Sequence, residues 1–237
     1  MSNLDSLKQK ADLRLTLPVS YYYKEAQRPT NKTVLLLHGY QDSASSLLKR
    51  AFGDEIETEE KYFDFNILAP NGVYPVPVKA EEGFREAYAW YFVDPSRDLV
   101  LVAPDVAARS LVALVKHLSL EANTFHIVGF SQGGILAPFV ARDLSNVSGI
   151  IGVGTLFLPD LYDGLRTTLP VDAIHGVNDD IITLATSQKG YHELKQIQPR
   201  PGEYYQFKGL KHTLDDAARA KLRELIELRL TMGLLSK

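Results

Sequence analysis

Apolar residues fall into short unbroken runs that stop on glycine or turn residues, with amphipathic stretches between them. Residues 33–37 (TVLLL) form such a run, ending at His38-Gly39. A strand covered on both faces reads this way, because neither set of alternating side chains meets water. The same signal predicts strands over 65–72 (FNILAPNG), 125–130 (FHIVGF), 147–155 (VSGIIGVGT) and 171–176 (VDAIHG), and a shorter one over 203–209 (EYYQFKG). Helical spacing predicts helices over 43–51 with Ser43 as N-cap, 105–118 behind Pro104, 133–144, 183–197 and 214–232. Pro138 removes one intrahelical bond from the third of these, so a kink or local break is expected there. The acidic stretch 53–64 (GDEIETEEKYFD) reads as a solvated face or a helix end. Strands alternate with helices throughout, which predicts an α/β fold: a mostly parallel, twisted sheet with helices on both faces.

Two segments fall outside that rhythm. Residues 1–30 read as an N-terminal extension or an edge strand, and residues 73–98 as a long irregular loop. Pro75 and Pro77 argue against a regular element in the second, and Tyr74, Phe84, Tyr88, Trp90, Tyr91 and Phe92 crowd it with aromatics. A loop of that length in a compact domain is usually functional. No linker or internal repeat divides the chain, so a single domain over 1–237 is expected.

Composition narrows the function classes. At 237 residues, with 45% hydrophobic and 23% charged residues, the chain has the make-up of an ordinary globular protein with a substantial core. A net charge of −3 offers no electrostatic case for nucleic acid or an anionic membrane. The absence of cysteine excludes disulfides, thiolate zinc sites and a cysteine nucleophile. No two histidines stand at metal-ligand spacing, and nothing calls for a cofactor. The polar N-terminus lacks a signal-like apolar region and no long apolar run spans a bilayer, so a cytoplasmic location is expected.

The chemistry concentrates at strand ends. In a parallel sheet, sites form beyond the C-terminal ends of the strands. Ser131 sits in GFSQG, directly between a predicted strand and a predicted helix, which is the context a G-x-S-x-G nucleophile elbow requires. Of the six histidines, only His192 and His212 follow the candidate acids at a workable distance, and His192 lies in mid-helix. His212, in KGLKHTLDD between the last strand and the last helix, can swing over the sheet edge. The acid lies in HGVNDDII, where spacing alone does not separate Asp179 from Asp180. Asp172 stands at the start of its strand, at the wrong end of the sheet. The chain order Ser, acid, His is that of an α/β-hydrolase triad. The backbone N–H of Gln132, the residue after the nucleophile, is a candidate oxyanion donor.

The combination LLLHGYQD, APNG, WYFVD, GFSQGG, HGVNDDII and GLKHT resembles the carboxylesterase, acyl-protein thioesterase and lysophospholipase family of α/β-hydrolases. The resemblance runs from about residue 33 to the C-terminus. It implies an α/β-hydrolase fold without a large cap domain, Asp179 as the acid of HGxxD, and Tyr40 as the second oxyanion donor. Tyr40-Gln41-Asp42 replaces the family's glycine-rich stretch after HG. The expected activity is that of a serine carboxylesterase or thioesterase acting on small acyl substrates through an acyl-enzyme. Trp90 and Tyr74 are candidates for lining the acyl pocket, with plain packing as the alternative. The alternative is a catalytically idle hydrolase fold serving as a ligand-binding or interaction protein.

Overall fold

The computed structural model describes residues 19–53, 56, 63–94, 97 and 99–232. The sequence expectations for residues 1–18 and for most of the acidic stretch 53–64 lie outside these. The elements in chain order begin with β1 (Tyr21–Lys24), β2 (Lys32–Leu37), α1 (Ala44–Phe52) and β3 (Asn66–Pro70). Next come β4 (Tyr74–Lys79), β5 (Phe84–Ala89), β6 (Phe92–Asp94), β7 (Leu99–Val102) and α2 (Pro104–His117). The second half holds β8 (Thr124–Phe130), α3 (Gln132–Asp143), β9 (Val147–Val153) and a 3₁₀ turn at Pro159–Tyr162. It closes with β10 (Val171–Gly176), α4 (Leu184–Ile197), β11 (Tyr204–Phe207) and α5 (Asp216–Met232).

Seven strands form the main sheet in the order β1-β3-β2-β8-β9-β10-β11. All neighbours run parallel except β1, which pairs antiparallel with β3 at the edge. Alternation along β2 shows how the two faces are filled. Val34 and Leu36 join the core layer under α1 and α5, while Leu35 and Leu37 join the layer under α2, α3 and α4. Ser43 caps α1, its hydroxyl accepting from the N–H of Ser46 at 3.3 Å. Pro104 opens α2, where its missing N–H would have had no partner.

Two expectations are corrected. Residues 73–98 are not an irregular loop: β4 and β5 form an antiparallel hairpin, and β6 pairs with β7. A strand paired on one side only leaves every second N–H unused, and Pro75 and Pro77 occupy alternate positions of such a strand. Of the kink or break expected at Pro138, the break does not occur: α3 runs from Gln132 to Asp143 as one helix. Pro138 and its neighbours Leu136, Ala137, Val140 and Ala141 are buried, and that packing offsets the lost bond. Among the described residues no separate cap domain covers the sheet, and no helix is long and apolar enough to cross a membrane.

Candidate active site

A strained backbone turn joins β8 to α3. Ser131 has φ 51° and ψ −116°, a region non-glycine residues rarely occupy and one that costs on the order of 1–3 kcal/mol. Hydrogen bonds on every side hold it there. Its N–H donates to Val153 O at 2.9 Å, and its carbonyl accepts from Gly134 N at 2.9 Å and Thr155 Oγ1 at 2.7 Å. The flanking glycines let the turn close. A Cβ on Gly129 would lie 2.4 Å from Gly133 O, and one on Gly133 only 2.1 Å from Leu37 O. With no side chain at either point, α3 starts against the end of β2, and Ser131 stands at the sheet's C-terminal edge.

The turn after β10 supplies the acid. Asp179 is buried, and its Oδ1 accepts from the N–H groups of Ile181 at 3.0 Å and Ile182 at 2.8 Å. Its Oδ2 lies 2.8 Å from Nδ1 of His212, on the loop between β11 and α5. Asp180 is exposed. The pair and the serine both adjoin the end of β9: Val153 accepts the Ser131 N–H, and the next residue is Gly154, with φ 51°. A Cβ at Gly154 would lie 3.4 Å from His212 Nδ1 and 3.5 Å from Asp179 Oδ2. The ring of Phe130, the residue before Ser131, stands 4.9 Å from the His212 ring. His192 is exposed on α4, and Asp172 is engaged elsewhere by Arg229.

The loop after β2 approaches from the other side. A Cβ on Gly39 would lie 3.3 Å from Ser131 Cβ, so the loop that carries Tyr40 comes up against the serine at Gly39. Gln41 has φ 56°, and Asp42 pairs with Arg50 and bridges to β5 through Tyr88 N–H at 2.8 Å. His38 anchors this loop. Its Nε2 accepts from Gly72 N at 2.8 Å and its Nδ1–H donates to Gly39 O at 2.7 Å, which fixes a neutral tautomer. Burial lowers its pKa to about 4, so it stays uncharged at neutral pH.

Gln132 opens α3, where the first N–H groups have no partner a turn earlier and the helix dipole favours negative charge. Its side chain has a job that sequence alone did not reveal. Oε1 accepts from Trp90 N at 3.0 Å, and Nε2 donates to Tyr91 O at 2.9 Å. The helix start is thereby stapled to the aromatic segment between β5 and β6. Trp90 is fully buried, its Nε1–H donating to His38 O at 2.8 Å. Tyr74 is half-buried, its ring 5.5 Å from Phe92, which in turn meets the exposed Tyr40 at 6.3 Å. Tyr74, Phe92 and Tyr40 thus make a chain of aromatic contacts, while the Trp90 ring packs on His38 at 4.8 Å. Among the described residues no cluster of three His, Cys, Asp or Glu side chains could hold a metal ion.

Comparison with known proteins shows the family of the chain. The model of the Phospholipase/Carboxylesterase family matches residues 23–230, so the chain belongs to that family of α/β-hydrolases. The structure is similar to that of acyl-protein thioesterase 2 from Zea mays (18% identity, TM-score 0.65, covering 89% of this chain and 99% of that one). It is also similar to esterase PE8 (23% identity, TM-score 0.68, 88% and 98% covered). A carboxylesterase from Bacillus cereus shows the same fold (18% identity, TM-score 0.61, 89% and 94% covered). No protein in the curated set matches the chain significantly.

Proposed function

We propose that the protein is a serine hydrolase that cleaves carboxylic ester or thioester bonds of small acyl substrates through an acyl-enzyme. The observation that carries this reading is the strained Ser131 turn set beside the 2.8 Å Asp179–His212 pair. In the reaction, Ser131 Oγ attacks the acyl carbonyl and His212 Nε2 takes its proton. Asp179 holds the Nδ1–H, which keeps Nε2 free to act as the base. The backbone N–H groups of Gln132 and Tyr40 receive the oxyanion. His212 returns the proton to the leaving alcohol or thiol, leaving the acyl group on Ser131, and water then repeats the sequence to release the acid. Tyr74, with Phe92 and Tyr40, receives the acyl portion. Trp90, with no exposed surface, braces the His38 loop rather than lining the pocket.

The test is turnover of p-nitrophenyl esters and acyl thioesters of graded chain length by the wild type and by Ser131→Ala. The wild type is expected to show a chain-length preference, and Ser131→Ala to lose about 10³-fold or more in kcat. Activity in a folded Ser131→Ala protein comparable to wild type overturns the mechanism.

A further inference from the structure

A second histidine stands at the acid. His175, the penultimate residue of β10, is 1% exposed. Its Nε2 lies 2.8 Å from Ile182 O and 3.5 Å from Asp179 Oδ2. Both neighbours accept hydrogen bonds, so Nε2 carries the proton and the ring is the neutral Nε2–H tautomer. Burial lowers its pKa, which keeps it neutral at pH 7. Nδ1 is buried without a hydrogen-bond partner, and the ring stacks on Tyr204 at 6.1 Å. The contacts form a closed circuit. His175 holds the Ile182 carbonyl, Ile182 N–H holds Asp179 Oδ1, and Asp179 Oδ2 faces both His175 and His212.

We propose that His175 is a positioning residue for the catalytic acid, clasping the turn from 177 to 182 so that Asp179 meets His212 at bonding distance. The inference rests on the triad reading above. It follows from two facts of the geometry. Asp179 sits on a turn outside regular structure. The near end of that turn is tied to the end of β11 and the loop after it by Val177 N–H to Phe207 O and Asn178 N–H to Leu210 O, both 2.9 Å, while its far end at Ile182 O is held by His175. The imidazole of His175 comes from the rigid end of β10, between β9 and β11, and reaches across the turn to its far end. A neutral N–H donor serves better here than a cation, because a charged ring would compete with His212 for Asp179.

The test compares His175→Phe, which keeps a ring against Tyr204 and removes the donor, with His175→Gln, whose amide reaches the region of Nε2. For His175→Phe, kcat on p-nitrophenyl acetate is expected to fall on the order of 10²-fold, the scale for a misplaced catalytic group, with KM nearly unchanged. The downfield proton NMR signal of His212 Nδ1–H that the 2.8 Å contact predicts for the wild type should weaken or vanish. His175→Gln should restore both. A folded His175→Phe protein with the signal intact and kcat within threefold of wild type overturns the proposal. Should His175→Phe fail to fold, His175→Asn replaces it: its amide falls short of Ile182, and kcat equal to that of His175→Gln overturns the proposal. The NMR arm reads the Asp179–His212 contact directly, so it still decides the role of His175 if no ester is hydrolysed and the triad reading itself fails.

Discussion

Replacing Asp179 by asparagine changes one atom and reverses one hydrogen bond. The Oδ1 side is saturated by two backbone N–H donors, from Ile181 and Ile182, so the asparagine carbonyl oxygen must face them. Its NH₂ group is then left at the Oδ2 position, 2.8 Å from His212 Nδ1. A donor there turns Nδ1 into an acceptor and moves the ring proton to Nε2, the atom that accepts the proton of Ser131 in the proposed mechanism. The turn itself keeps its bonds, so the fold should survive. In a serine protease triad the same exchange costs about 10⁴-fold in rate, which corresponds to roughly 5.4 kcal/mol of transition-state stabilisation. Asp180→Asn alters an exposed side chain and should change the rate less than about threefold, within roughly 0.7 kcal/mol. The assay is kcat/KM on p-nitrophenyl acetate, with circular dichroism confirming that both variants are folded. A larger loss in Asp180→Asn, or an Asp179→Asn protein within tenfold of wild type, refutes the tautomer argument.

Stability should fall between pH 7 and pH 5, because burial lowers the pKa of His38 to about 4 and that of His126 to about 3. An unfolded histidine protonates near 6.5, so each contribution is complete above that pH and is lost as pH falls toward the folded value. At pH 5 the loss is about 2 kcal/mol per residue, about 4 kcal/mol together, and urea unfolding at the two pH values measures it. Equal stabilities at pH 7 and 5 contradict the assignment. Arg229→Met should cost about 3–5 kcal/mol, because it strands a buried carboxylate that Asp172 now shares in two bonds, at 2.8 and 2.9 Å. With an unfolding entropy of about 2.1 cal/mol/K per residue, that is a drop of roughly 6–10 °C in Tm; an unchanged Tm counts against it.

The parts of the fold that sequence made legible are those buried on both faces. β2, β8, β9 and β10 read as apolar runs because helices cover both sides of the sheet, and Ser43 announced α1 through a cap that the structure contains. The segment from 73 to 102 misled because its prolines read as breakers. Yet Tyr74, Val76 and Val78 alternate with the exposed Pro75, Lys79 and Pro77, and a two-stranded hairpin tolerates proline on its open side. The strand-end positions of Ser131 and His212 were legible from sequence context, while preferring Asp179 to Asp180 as the partner of His212 rested on resemblance alone. The contacts of His175 and of the Gln132 side chain were not legible at all. Each reaches a backbone group supplied by the tertiary fold, 7 residues away for Ile182 and 42 for Trp90.

Covalent labelling tests the central claim most directly. Incubation with a serine-directed fluorophosphonate, followed by intact-protein mass spectrometry and peptide mapping, should give one adduct, located on Ser131. Ser131→Ala should remain unlabelled, and His212→Ala should label far more slowly because no base removes the serine proton. An adduct that persists in Ser131→Ala, or an ester-hydrolysing wild type that never labels at Ser131, contradicts the account.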